Sequence, residues 1–228
     1  MELIIIIVST ISIFIVNAMM KMNVKEIKKI ALDDELNEIT KKYPKNIEIC
    51  KSILKNLGNK TTQIEEDISS ESTLYIAMQD KISIGNTHDS FTRIQTMAHE
   101  CLHSIQDRKM LLFNFIYSNI YFIYFFVICM LVVAKKLPNQ MMFSNIFLIL
   151  SFIYYVIRIF LENDAMIKAE YVAKKYMKEQ EISSEEEINK VFNGFKKIND
   201  ECIKGTNCIL FVKIMIKVVI FNVLALIF

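Results

Sequence analysis

Residues 111–134 read LLFNFIYSNIYFIYFFVICMLVVA and contain no charged side chain. A transmembrane helix needs about 20 consecutive apolar residues, so this run is long enough to cross a bilayer. A soluble protein with buried core helices is the less favoured alternative, because an uncharged run of this length is difficult to bury in so small a soluble fold. The stretch therefore predicts an integral membrane protein.

Three further apolar segments extend this pattern along the chain. They are Leu3–Met20, Phe143–Leu161 and Cys208–Phe228. The first is interpreted as an uncleaved anchor, because no positive charge precedes it and no small-residue cleavage site follows it. The last contains Lys213 and Lys217, which leaves open whether it spans the membrane fully or lies partly in the interface. We expect a mainly α-helical fold with about four transmembrane helices.

The composition fits a helical protein with a small net charge. Of 228 residues, 53% are hydrophobic, the mean hydropathy is +0.33, and there are only 4 Gly and 2 Pro, which disfavours a turn-rich all-β fold. The formal net charge of +2 gives no electrostatic case for a nucleic-acid partner, so none is expected. The five cysteines include no C-x-x-C pair, and we expect all of them to be reduced.

The distribution of lysines predicts how the chain is oriented. Four crossings divide it into an anchor (1–20), a first loop part (21–110), a membrane hairpin (111–161), a second loop part (162–207) and a last helix (208–228). Both loop parts are rich in lysine near the membrane, whereas the opposite side holds only Lys135 and Lys136. The positive-inside rule then makes both loop parts cytoplasmic. We expect a multi-pass protein of the cell membrane.

Short elements are predicted within the two loop parts. The apolar spacing of residues 46–56 suits a helix with Gly58 at its C-cap. Thr73–Met78 and Lys81–Ile84 suit two short strands of a hairpin. A capping box, Ser-Glu-Glu-Glu, predicts a helix over about 184–203.

An H-E-x-x-H motif occupies residues 99–103, in a chain that has only three histidines. On a helix, positions i and i+4 lie on the same face, so His99 and His103 can bind one metal ion. Glu100 lies beside them and can activate a bound water. Cys101 points to another face, which favours core packing over a ligand role. The motif predicts a metal-dependent hydrolase.

The helix that carries this motif is predicted to begin at Asp89 or Ser90. Its apolar face holds Ile94, Met97, Ala98, Cys101 and Ile105. The other stripe carries the two motif histidines together with Gln95 and Gln106, polar neighbours that can orient metal ligands.

A catalytic zinc site needs a third protein ligand and an open position for water. Glu162 is the preferred candidate, because it is an acidic residue where the third apolar segment ends, on the same predicted side as the motif histidines. Asp164 can then accept the free N–H of a ligand histidine. His88, Asp164 and Glu170 remain alternatives for the third ligand, although His88 is more typical of a surface or turn residue.

The two motifs resemble those of the YugP-like bacterial neutral zinc metallopeptidases of the membrane. That family has an anchor helix, an H-E-x-G-H-A-I-Q motif, a membrane hairpin and an E-F-D-A-S motif. Here residues 99–106 read HECLHSIQ and residues 162–165 read ENDA. The chain departs at Leu102, where the family has Gly, and at Met166, where it has Ser. The topology is also similar to that of the HtpX-like membrane proteases, a broader gluzincin group.

The resemblance implies a zinc ion with Glu162 as its third ligand and a small zincin-like cytoplasmic α+β part that carries the motif helix. It also implies hydrolysis of peptide bonds near the membrane, in peptides or membrane proteins. The residue that would stabilise the oxyanion is not assigned, and Tyr171 and His88 are the two candidates. The oligomeric state is not indicated.

Two other classes of function remain as alternatives. One is a non-catalytic binding or regulatory membrane protein with a structural or vestigial metal site. Leu102 motivates that alternative, whereas the intact Glu100 argues against it, because a structural site needs no base. A transporter is the other, and it rests only on Lys213, Lys217 and the apolar content.

Overall fold

The computed structural model describes residues 2–86 and 90–228, and it is mainly helical. Its elements in chain order are α1 (Glu2–Met19), α2 (Val24–Ala31), α3 (Asp34–Lys41), α4 (Asn46–Asn56), β1 (Gln63–Glu66), β2 (Leu74–Ile76), β3 (Lys81–Ile84), α5 (Arg93–Ile105), α6 (Arg108–Val133), α7 (Gln140–Gln180) and α8 (Glu185–Ile227). The predicted helix over residues 46–56 is confirmed. The residue at its C-cap is Leu57 and not the predicted Gly58, which follows directly with a φ of 75° and an N–H bond to the Lys55 carbonyl.

Four helices, α1, α6, α7 and α8, are long and apolar enough to cross a membrane, as the four apolar segments predict. Only 6% of the most apolar window of α1 is buried within the protein, and no more than 33% of any of the four. Large side chains such as Phe14 and Met19 are 70% and 79% exposed. So much exposed apolar surface is rare in water-soluble proteins and suggests a membrane protein.

The last helix differs from the prediction. The sequence predicts a helix that ends near Ile203 and a separate one from Cys208, whereas α8 runs without a break from Glu185 to Ile227. No proline separates the two stretches, and Gly205 alone costs a helix only about 1 kcal/mol. The predicted capping box is present at the start of α8, because the Ser184 hydroxyl and the Glu187 carboxylate each accept the other residue's backbone N–H.

The chain divides into two compact units. The helical unit contains Met1–Met22, Phe113–Phe160 and Lys204–Phe228; the mixed unit contains Asn23–Leu112 and Leu161–Ile203. Aromatic rings fill the core of the helical unit, where Tyr121 stacks on Phe147 and Tyr154 with ring centroids 5.4 and 4.9 Å apart. One pair of buried polar side chains is hydrogen-bonded there: the Ser144 hydroxyl donates to Asn222 Oδ1 at 2.8 Å. Such pairing avoids unsatisfied polar groups in an apolar surrounding.

The mixed unit contains a three-stranded sheet in the order β1-β3-β2. The predicted hairpin is confirmed, since β2 pairs antiparallel with β3. The sequence does not predict β1, because Gln63–Glu66 has one apolar residue and no clear alternation of apolar and polar side chains. It pairs parallel with β3, and its start is fixed where the Thr62 hydroxyl donates to Asp80 Oδ1 at 2.6 Å. Tertiary pairing therefore decides this strand.

Arg93 fixes the beginning of the motif helix α5. The residue is 5% exposed, and its guanidinium donates four hydrogen bonds of 2.8–2.9 Å. The acceptors are the carbonyls of Thr40, Tyr43 and Pro44 and the side-chain oxygen of Asn46. This clasp joins α5 to the turn that connects α3 with α4.

Two details of α5 differ from the prediction. The residue at its N-cap is Thr92, which makes no side-chain capping bond, and not Ser90; the other predicted cap, Asp89, lies outside the described residues. Ile94, Met97, Ala98 and Cys101 are fully buried as predicted, but Ile105 is 44% exposed. Ile105 is the last residue of the helix, where the chain turns away into the extended backbone of Gln106.

Candidate metal centre

Three side chains from two helices converge in the mixed unit. His99 and His103 lie one turn apart on α5, and Glu162 lies on α7. The two imidazole Nε2 atoms are 3.0 Å apart, and Glu162 Oε2 lies 3.6 Å from each of them. Within residues 2–86 and 90–228, these three side chains form the group of His, Cys, Asp or Glu residues that could hold a metal ion.

The spacing of the three donor atoms fits a tetrahedral metal ion. Zinc binds imidazole nitrogen and carboxylate oxygen at about 2.0–2.2 Å, which places ligand atoms about 3.3 Å apart. The observed separations of 3.0 and 3.6 Å lie on either side of this value. Imidazole and carboxylate donors bind several divalent ions, so the geometry indicates a metal-ion site without selecting zinc.

Glu100 is held between these donors and the sheet. Its Oε2 accepts a hydrogen bond of 2.6 Å from the backbone N–H of Tyr75 in β2. Its Oε1 lies 4.0 Å from His99 Nε2. One carboxylate oxygen is thus anchored to the backbone, while the other is directed towards the candidate ligands.

Gln106 orients His103. The Gln106 amide nitrogen donates to the Leu161 carbonyl at 2.8 Å, which leaves its Oε1 to face His103 Nδ1 at 2.9 Å. Nδ1 of His103 is therefore the nitrogen that donates, and Nε2 is left to face the other two ligand atoms. The sequence places Gln106 among the residues that can orient the ligands, and the structure places it against one of them.

Asp164 contacts Gln106 and not a histidine, so it lies further from the candidate ligands than the sequence predicts. Its Oδ2 is 3.3 Å from the Gln106 amide nitrogen, and its Oδ1 pairs with Lys168 at 2.5 Å. Gln106 occupies the place beside His103 because it directly follows α5, three residues after that histidine. Asp164 therefore acts on the site through Gln106. Burial acts to raise the pKa of Asp164, but bonds with Lys168 and Gln106 hold that pKa below its ordinary value.

The electrostatic surroundings suit a proton-accepting carboxylate. Burial raises the pKa of Glu100, against the lowering influence of the neighbouring His99 and His103. A raised pKa brings a carboxylate closer to the range in which it can both accept and release a proton. Burial alone would lower the pKa of His103, but its bonds with Glu162 and Gln106 raise that pKa above its ordinary value.

The other candidates from the sequence lie elsewhere or outside the described residues. His88, an alternative ligand and oxyanion candidate, belongs to the residues that the structure does not describe. Glu170 is buried on α7, where its Oε2 lies 3.5 Å from the Asn199 amide nitrogen, and it is not part of the three-residue group. Tyr171 is 56% exposed with its ring against Phe192.

Two of the residues between the histidines belong to the hydrophobic core. Cys101 is fully buried, as predicted, and its Sγ lies 3.4 Å from Cys50 Sγ. Leu102, the bulky residue where the resembling family has glycine, is 5% exposed in the same core cluster. The packing of α5 against the core thus accommodates both side chains.

Replacing Gln106 by leucine should weaken metal binding about 10–100-fold, because His103 loses the partner that fixes its ring and its protonated nitrogen. A competition titration with a chelating indicator measures this change. Asp164→Asn is the matched control, and we expect it to alter the affinity by less than the Gln106 variant does. An unchanged affinity in Gln106→Leu would show that the ring is held by other contacts.

Comparisons with known proteins leave this geometry as the main guide to function. No protein-family model, no curated protein and no solved structure matches the chain.

Proposed function

We propose that the protein is a membrane-embedded zinc-dependent endopeptidase, similar to the YugP-like metallopeptidases that its two motifs resemble. The observation that carries the proposal is the convergence of His99, His103 and Glu162 beside a carboxylate, Glu100, that is not one of the three. A purely structural metal site has no use for such a base. The non-catalytic alternative explains the hydrogen bond of Glu100 Oε2 with Tyr75, but not the Oε1 atom that faces the candidate ligands.

The residues of the site have two different proposed roles in hydrolysis, metal binding and proton transfer. His99, His103 and Glu162 would hold the ion, which when bound polarises the scissile carbonyl and lowers the pKa of a water molecule. Glu100 accepts a proton from the attacking water as the new C–O bond forms. It then gives that proton to the leaving nitrogen as the C–N bond breaks. The hydrogen bond from Tyr75 keeps the carboxylate in position through both transfers.

Strand β2 supplies a place for an extended substrate. It lies at one edge of the sheet, and the Tyr75 N–H contact brings it beside Glu100. An extended peptide can add to such an edge through main-chain groups other than the Tyr75 N–H, which Glu100 occupies. Peptide segments in an extended conformation, free or part of membrane proteins, are therefore the substrates we propose.

The proposed location is the cell membrane, crossed several times, with the site on the cytoplasmic side. The four membrane-length helices support the membrane location. The lysine-rich stretches before and after them support the orientation through the positive-inside rule. Glu162 directly follows the third apolar segment in the sequence, so the proposed substrates include segments close to the bilayer.

Chelation tests the proposed activity. The detergent-purified full chain is incubated with a pool of fluorogenic peptides, with and without a zinc chelator. We expect hydrolysis that the chelator abolishes and added zinc restores, because the ion is needed to activate the water. If the metal-loaded protein cleaves nothing while removal of the metal unfolds it, the structural-site alternative replaces this proposal.

A further inference from the structure

The helical unit carries two lysines in the apolar part of α8, and its sequence contains almost no acidic side chains. Glu2, at the first residue of α1, is the only acidic side chain in the sequence of this unit. Lys213 and Lys217 lie within the apolar half of α8, one turn apart and on the same face. Ionisable residues inside membrane segments are costly and mark functional positions by default.

Lys217 lies close to the centre of its apolar segment. At 1.5 Å per residue it is about 14 Å along the helix from Cys208 and about 16 Å from Phe228. The hydrocarbon core of a bilayer is about 30 Å thick, so a spanning α8 places this residue near the midplane. Lipid phosphates lie at the membrane surfaces, beyond the reach of a lysine side chain at that depth.

Aromatic rings of α6 hold the Lys217 ammonium at this level. Its Nζ lies 4.9 Å from the ring centroid of Tyr121, 5.9 Å from that of Phe122 and 6.0 Å from that of Phe125. A cation in contact with ring faces is attracted by them, which opposes snorkelling towards the surface. Among the residues that the structure describes, no carboxylate forms an ion pair with this ammonium.

The surface around Lys217 is accessible to a partner. Phe122 is 53% exposed, and Ile216 and Ile220 of α8 are 46% and 44% exposed. Lys217 itself is only partly buried. The Lys217 cation is surrounded by exposed apolar side chains. A complementary partner would therefore present an apolar surface with a single negative charge within it.

We propose that Lys217 binds the carboxylate of an acidic residue in a membrane-spanning helix of another protein. Charge complementarity supports this occupant, because an Asp or Glu at matching depth is the group that would neutralise the ammonium there. A second copy of this chain cannot supply it, since its helical unit has no acidic side chain apart from Glu2 at a helix end. The inference requires that α6 and α8 span the membrane, as in the proposed function, but it does not require hydrolysis.

A pair of designed helices tests this binding. Two synthetic single-span Leu/Ala peptides, one with a central Glu and one with Gln in its place, are reconstituted with the full chain in phosphatidylcholine vesicles. Association is measured by energy transfer, so the readout is independent of peptide cleavage. We expect the Glu peptide to associate about tenfold more tightly than the Gln peptide.

Three variants at the two lysines complete the test. Lys217→Met should reduce the preference for the Glu peptide to within about twofold, whereas Lys213→Met, one turn nearer the interface, should retain it. Lys217→Arg, which keeps the charge, should also retain it. Equal binding of the two peptides by the wild type, or a preference that survives Lys217→Met, would overturn the inference. Loss of the preference on adding phosphatidylglycerol would overturn it in favour of a lipid phosphate.

Discussion

Replacing Glu100 by glutamine is expected to lower peptide hydrolysis by about 10²–10⁴-fold, because the reaction loses the group that accepts and returns the proton. Bound metal should stay unchanged, since Glu100 is not one of the three converging donors. Glutamine has nearly the same shape and keeps an oxygen that can accept the Tyr75 N–H. Initial rates on the cleaved peptide, measured beside the metal content of the same samples, test both expectations.

A second Glu→Gln change controls for the substitution itself. Glu66 is an exposed residue of β1, and Glu66→Gln should leave the rate within about twofold of the wild type. A Glu100→Gln protein that cleaves peptides at the normal rate would remove the proposed mechanism. A variant that loses its metal would instead assign Glu100 to metal binding.

Replacing Arg93 by methionine should lower the free energy of unfolding by about 3 kcal/mol or more. The guanidinium supplies hydrogen bonds to four oxygen atoms around the α3–α4 turn, and each buried acceptor left without a donor costs about 1–3 kcal/mol. Burial lowers the pKa of Arg93, and the four hydrogen-bond acceptors around its guanidinium are three backbone carbonyls and the Asn46 side chain. Unfolding followed by circular dichroism in detergent measures the loss.

Two further variants separate the effect of the Arg93 hydrogen bonds from that of its positive charge. Arg93→Lys keeps the charge but not the forked donor geometry, so we expect an intermediate loss of stability. Lys51→Met removes an exposed cation from the neighbouring helix α4 and should change stability by no more than about 0.5 kcal/mol. If Arg93→Met unfolds at the same midpoint as the wild type, the clasp is not what fixes the start of α5.

The features that the sequence predicts well are those with a strong local signal. Long apolar runs specify helices directly, and the i, i+4 spacing places His99 and His103 on one face whatever surrounds them. Glu162 could be proposed as their partner because few acidic residues follow an apolar segment so closely. The capping box of α8 and the glycine just after α4 are likewise local signals.

The features that were missed depend on tertiary contacts. β1 is a polar stretch that becomes a strand through pairing with β3. α5 begins after Thr92, which makes no capping bond, and the Arg93 guanidinium binds the α3–α4 turn there, so the preference of Ser for caps does not locate this start. The order of Gln106 and Asp164 around His103 follows from where α5 ends relative to α7, which spacing within one helix does not reveal.

The metal content of the purified protein tests the central claim most directly. Elemental analysis of the detergent-purified wild type is compared with Glu162→Ala and, as a matched control for the alternative ligand, Glu170→Gln. The account predicts about one zinc ion per wild-type chain, retained in Glu170→Gln and lost or strongly weakened in Glu162→Ala. Zinc retained at full affinity in Glu162→Ala, or no metal in the wild type after reconstitution, would contradict it.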